Sequence, residues 1–209
     1  MFYMVNKMRQ QMSMRLELFT VVALLAFAGC FDEPEPAYKS VPEGARVYLK
    51  DQGLADLKGQ SFDASKVDYL NLDRNALTNV DEVASLAGLK WLRLNSNQLS
   101  ALPSLGDLKS LRRIYLRDNK FAEVPETLKD LPALTDIDLS GNPVSEIPEW
   151  LAKKEGLQFL SFSRTKISKL PDDLSAWKRL KALQLGDLQM TPEEMARIRK
   201  ALPDVAVVF

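Results

Sequence analysis

Asp136 and Asp138 stand two apart in the run LTDIDLSGN, and Asp118 precedes them in YLRDN. Residues i and i+2 of a strand share a face, so these two carboxylates would project together. A carboxylate pair can serve acid–base chemistry or, with further oxygen donors, hold calcium. The plainer expectation is a pair of solvated polar positions between inward leucines. No stronger catalytic constellation exists. The chain has no histidine and one cysteine, Cys30. That excludes histidine triads, histidine metal sites, a cysteine zinc site and an internal disulfide. The patterns GxxxxGK, GxGxxG and GxSxG are absent as well. No catalytic residue, metal or cofactor is expected.

A second set of residues suits recognition. Tyr48, Tyr69, Trp91, Arg93, Arg113, Tyr115 and Arg117 lie at alternate positions of short apolar segments, followed by Asp136, Asp138 and Phe159. Tyr, Trp and Arg are enriched where binding energy concentrates. Charge is balanced at 28 basic and 28 acidic residues. Without the first 29 residues, which hold Lys7, Arg9, Arg15 and Glu17, the net charge is −2. Nucleic acid is not an expected partner, because it requires concentrated positive charge.

The elements that position these residues recur every 22 or 23 residues. Each unit centres on an apolar-x-apolar pair: Val47/Leu49, Leu70/Leu72, Leu92/Leu94, Ile114/Leu116, Ile137/Leu139, Leu160/Phe162 and Leu183/Leu185. A further apolar residue stands three before each pair from the second onward, and another five after every pair. One such unit is too small to bury its own leucines, so units must stack. Stacking aligns the strands in a parallel sheet about 4.8 Å apart. The outward residues then fall into columns. The first is Arg46, Tyr69, Trp91, Arg113, Asp136, Phe159 and Ala182; the second is Tyr48, Asn71, Arg93, Tyr115, Asp138, Ser161 and Gln184.

The segments LKWLRLNSNQLSALP and LTDIDLSGNPVSEIP resemble leucine-rich repeats, with the LxxLxLxxNxL pattern followed by LP. The resemblance covers residues 45–190 and implies an α/β fold. Its form is a right-handed solenoid with a parallel sheet on the concave face and short helical or extended segments on the convex face. Asn75, Asn97, Asn119 and Asn142 occupy the asparagine position after the strand. There the amide can bond backbone groups of its own bend and of the neighbouring coil. Gln52, Thr165 and Leu188 replace it in the first and last two units. Pro103, Pro125, Pro148 and Pro171 mark the turn onto the convex side, where Trp150 and Trp177 are expected to pack.

The carboxyl end reads as a cap. Thr191-Pro192-Glu193-Glu194 is a capping box, and the helix behind it places Met195, Ile198 and Leu202 on one side. The run VAVVF then adds a last strand. The repeat domain is expected over 45–209, about seven repeats with 192–209 as the cap.

Residues 1–29 read as a signal peptide. Leu18 to Ala28 is apolar apart from Thr20 and follows Lys7, Arg9 and Arg15. That length is far short of the roughly 20 residues a membrane-spanning helix needs. Met8, Met12 and Met14 are alternative starts. Cys30 ends a lipobox-like stretch and is the expected acylation site. Residues 30–44 then form a lipidated tether rich in proline and charge. Cleavage after Ala28, which would give a soluble secreted protein, is the alternative. Phe31 after the cysteine favours the outer membrane of a bacterial envelope.

The expected function is non-catalytic. A membrane-anchored, monomeric solenoid would bind a protein partner through its concave face, with a glycan or peptidoglycan as the alternative ligand. A metal-assisted enzyme built on Asp118, Asp136 and Asp138 is the remaining class. Trp91→Ala with Arg113→Ala is expected to abolish capture of the partner and leave the fold intact.

Overall fold

The computed structural model describes residues 45–60 and 62–209, which lie in the second of two compact units, 43–209. The signal peptide, Cys30 and the tether lie outside the described residues. Eight strands form one all-parallel sheet in sequential order. They are β1 (Ala45–Tyr48), β2 (Val67–Asn71), β3 (Trp91–Arg93), β4 (Arg113–Tyr115), β5 (Asp136–Asp138), β6 (Phe159–Ser161), β7 (Ala182–Gln184) and β8 (Ala206–Val208). Each strand pairs only with its chain neighbours, so a residue's cross-strand partners are its counterparts one unit away. Return segments hold 3₁₀ turns at Asp81–Ser85, Glu126–Leu128 and Ser175–Arg179, and a single α-turn, α1 (Glu149–Ala152). Pro125 and Pro148 stand immediately before two of these turns, as the convex-turn reading expects.

The apolar columns close into one continuous core. The inward strand pairs from Leu70/Leu72 to Leu183/Leu185 are all buried, as are Leu77, Leu99, Phe121, Val144, Ile167 and Met190 behind them. The first coil is less well packed: Val47, Leu49 and Leu54 are only partly buried against the core. Trp177 is fully buried, and its Nε1 donates to the carbonyl of Leu151 at 3.0 Å.

The asparagine ladder forms as expected. Asn119 Nδ2 donates to Leu94 O and Leu116 O, both at 2.9 Å, and its Oδ1 accepts from Leu99 N at 3.0 Å. Asn75, Asn97 and Asn142 repeat the pattern. Thr165 retains only the bond inside its own coil, to Phe162 O at 2.7 Å. One residue before the ladder, the backbone turns left-handed in every unit, at Asp51, Arg74, Ser96, Asp118, Gly141, Arg164 and Asp187.

At the carboxyl end, α2 (Pro192–Ala201) carries Thr191 as its N-cap, whose Oγ1 accepts from Glu194 N at 3.2 Å. Glu194 does not return the capping-box bond. Its carboxylate accepts instead from Leu170 N at 2.9 Å and from Arg197, which ties the cap to the preceding coil. Ile198 and Leu202 are buried, Met195 packs against the core, and β8 extends the sheet.

Candidate functional site

The sheet register places every predicted outward column in line. Arg46, Tyr69, Trp91, Arg113, Asp136, Phe159 and Ala182 pair in succession, and so do Tyr48, Asn71, Arg93, Tyr115, Asp138, Ser161 and Gln184. A diagonal of aromatic rings crosses the first four strands. Tyr48 and Tyr69 lie 5.3 Å apart, Tyr69 meets Trp91 edge-on at 5.0 Å, and Trp91 meets Tyr115 edge-on at 5.8 Å. Arginines cover the ring faces: Arg46 over Tyr69, Arg93 over Tyr115, and Arg113 over Trp91 at 5.0 Å. Edge-to-face rings under guanidinium planes form a rigid surface.

Depth within this surface differs from the sequence expectation at several outward positions, including two of the candidate binding residues. Tyr69 is only 5% exposed and Asp136 only 3%, whereas Tyr48 is 46% exposed. Period-2 alternation fixes the direction of a side chain but not how far its neighbours overhang it. Tyr69 therefore supports Tyr48 and Trp91 from below, and Asp136 is no solvated position.

The arginines are held by carboxylates of this chain. Arg93 pairs with the buried Asp73 at 2.7 Å and Arg113 with Asp136 at 2.8 Å. Asp118 takes Arg117 at 3.1 Å and, from two coils away, Arg164 at 3.0 Å. The last bridge passes over Gly141, where a Cβ would collide with Asp118 Oδ1. Burial pushes the Asp136 carboxyl above its ordinary value, partly offset by Arg113. Burial also raises that of Asp138, against two bonds from Ser140. The three aspartates offered for metal chemistry are thus engaged separately by Arg113, by Arg117 and Arg164, and by Ser140. Among the described residues no group of three or more acidic, histidine or cysteine side chains could hold a metal ion.

Sequence reading missed a second ladder beside the asparagine column. Asp73 Oδ1 accepts from Asn95 N at 2.8 Å, and Asn95 Oδ1 accepts from Arg117 N at 2.9 Å. Ser163 Oγ accepts from Gly186 N at 3.1 Å. Arg117 has no acceptor to offer, so Ser140 N turns to Asp138 within its own coil, at 2.8 Å. The available signal was a short side chain with an acceptor oxygen recurring two residues after the second outward column, at Asp73, Asn95 and Ser163.

Comparison with known proteins agrees with this architecture. Residues 45–99 match a model described as leucine rich repeat, and residues 133–153 match a second of the same description. An internalin from Listeria monocytogenes superposes with a TM-score of 0.57 at 21% identity, covering 69% of this chain and 48% of that one. A leucine-rich repeat protein of Leptospira interrogans superposes at 0.42 with 25% identity, over 69% of this chain and 56% of that one. The fold is a leucine-rich repeat solenoid. Among curated proteins, a probable serine/threonine-protein kinase, pats1 of Dictyostelium discoideum, is 30% identical over 126 residues, 52% of this chain and 4% of that protein. Keratocan of Bos taurus is 27% identical over 104 residues, 47% of this chain and 29% of its own length. The chain thus spans less than a third of either curated relative.

Proposed function

We propose that this solenoid is a non-catalytic binding module that takes a protein partner on the concave face of β1–β5. Leucine-rich repeat proteins act as protein-binding modules, and the observation that carries the reading here is the ring diagonal crossed by arginines. Its rings and guanidiniums already pack on one another without a partner, so binding would order fewer side chains than on a bare surface. Because Arg93 and Arg113 are already paired inside the chain, the face offers shape, ring edges and hydrogen bonds more than net charge. The guanidiniums over Tyr69, Trp91 and Tyr115 also occupy the ring faces that sugar stacking uses, which favours a protein over a glycan.

Arg113→Ala is a poor probe of this face, contrary to the sequence-based design, because it would strand the buried Asp136 carboxylate. Tyr48→Ala with Tyr115→Ala leaves the Arg93–Asp73 and Arg113–Asp136 ion pairs in place. The protein that wild type captures from envelope extract should be lost by this double variant and kept by Glu126→Ala on the convex side. Equal capture by both variants would place the binding surface elsewhere.

The same proposal places the protein at a bacterial envelope, as a monomer anchored through acylated Cys30. The apolar run Leu18–Ala28, the lone cysteine and the proline-rich stretch behind it support this. Among the described residues no helix is long and apolar enough to cross a membrane. Mass spectrometry of the mature amino terminus should find a diacylated or triacylated Cys30. A free terminus at Gly29 would show a soluble product instead.

A further inference from the structure

On the concave floor, beyond the aromatic diagonal, four side chains on three neighbouring coils touch in a line. Asp138 Oδ1 lies 2.5 Å from Ser140 Oγ, Ser140 Oγ 2.6 Å from Ser161 Oγ, and Ser161 Oγ 3.2 Å from Gln184 Oε1. Ser140 and Ser161 are buried, and Gln184 is partly exposed at the surface of β7.

A count of protons decides what this line can be. Three oxygen–oxygen contacts need three protons, and the two serine hydroxyls supply one each. A carboxylate and an amide oxygen only accept. With Asp138 ionised and the Gln184 oxygen inward, one contact is left without a proton, which a buried polar group tolerates poorly. Two arrangements balance. In one, Asp138 carries a proton and donates to Ser140, Ser140 donates to Ser161, and Ser161 donates to Gln184 Oε1. In the other, Asp138 is ionised and the amide turns over, so that Gln184 Nε2 donates to Ser161, Ser161 to Ser140, and Ser140 to Asp138.

We propose that Asp138, Ser140, Ser161 and Gln184 form a one-proton relay that sets the hydrogen-bonding polarity of the concave face at Gln184. With Asp138 protonated, the outward atom of Gln184 is the Nε2 donor. With Asp138 ionised, it is the Oε1 acceptor. Its neighbours permit the turn, since Val208 lies opposite on β8, and Ala182 and Gly186 flank it. As regulation of partner binding, the relay rests on the concave-face reading above; as a property of the free protein it does not.

The charged groups around Asp138 are themselves paired with one another. Asp136 on the same strand is neutralised by Arg113 from β4. Arg117 from the coil of β4 favours the carboxylate, and Asp118 beside it opposes it while itself held by Arg117 and Arg164. Tyr115 is the cross-strand partner of Asp138 on β4, and Ser161 its partner on β6. Burial outweighs these effects and favours the protonated form.

Nuclear magnetic resonance on the full chain tests the relay without any partner. The Asp138 carboxyl carbon and the Gln184 side-chain amide are followed across the carboxylate range of pH. The amide resonances should move with the same midpoint as the carboxyl. In Ser161→Ala, Asp138 should still titrate while the Gln184 amide no longer follows. In Asp138→Asn, the amide should be flat. A Gln184 amide that ignores the Asp138 midpoint in wild type, or that follows it unchanged in Ser161→Ala, overturns the relay. Either result leaves the partner-binding test with Tyr48 and Tyr115 untouched, so the two readings fail separately.

Discussion

Asn119 joins two coils through a single amide, closing a carbonyl and an N–H of the preceding coil and a carbonyl of its own. Asn119→Ala leaves these groups buried and unpaired, a loss of roughly 2–4 kcal/mol by chemical denaturation. Thr165→Asn should act in the opposite sense, gaining about 1 kcal/mol by restoring the bond to the preceding coil that threonine does not make. Gly141→Ala should cost about 1–2 kcal/mol, because its φ of 68° is left-handed and its Cβ would meet Asp118. Asp138 offers a pH-dependent case. Its folded pKa is raised above the ordinary 3.8 by burial, so the ionised form destabilises the fold. That penalty is complete above the folded pKa and vanishes below 3.8. Asp138→Asn should therefore melt higher than wild type at neutral pH, and the gap should close in acid. The asparagine column was legible in the sequence because one residue type recurs at one spacing. The second ladder was not, because Asp73, Asn95 and Ser163 share only an acceptor oxygen. The burial of Tyr69 was hidden for a different reason, since it depends on how Tyr48 and Trp91 lean.

At the scale of elements, the cap is where sequence and structure differ most. Thr191 and Pro192 start α2 as the capping signature predicts, but Glu194 reaches out to the coil of Leu170 instead of back to Thr191. A capping box specifies only local geometry, whereas Arg197 and the Leu170 N–H offer the carboxylate stronger partners. Arg197 first, and then the Leu170 N–H, hold the Glu194 carboxyl below its usual range. A depressed carboxylate stabilises the fold above its unfolded pKa and loses that contribution as pH falls through the folded value. Glu194→Gln should therefore melt below wild type at pH 7 by roughly 1–2 kcal/mol, with the deficit shrinking in acid. This is the reverse of the Asp138 behaviour, and thermal melts of both variants over one pH series separate the two signs.

The whole molecule is a one-dimensional stack, and that made its fold readable. Because each strand pairs with the next, register between strands follows from the sequence period alone, and the columns of the sheet could be written down residue by residue. Stability in such a stack is shared between neighbours and falls toward exposed ends. Deleting residues 191–209 removes the buried Ile198 and Leu202 and the strand that pairs with β7. Hydrogen exchange should then quicken first in the coils of β7 and β6, while β3 and β4 keep their protection. The period gives no such access to function, which depends on outward side chains that the stack leaves free to vary.

The most direct test of the concave-face account is photo-crosslinking from single positions in envelope extract. Probes replace Arg46 or Tyr115 on the concave face, and Glu126 or Lys109 on the convex side. The account predicts one protein adduct shared by the concave probes and missing from the convex ones. A protein adduct formed from the convex probes alone would contradict it.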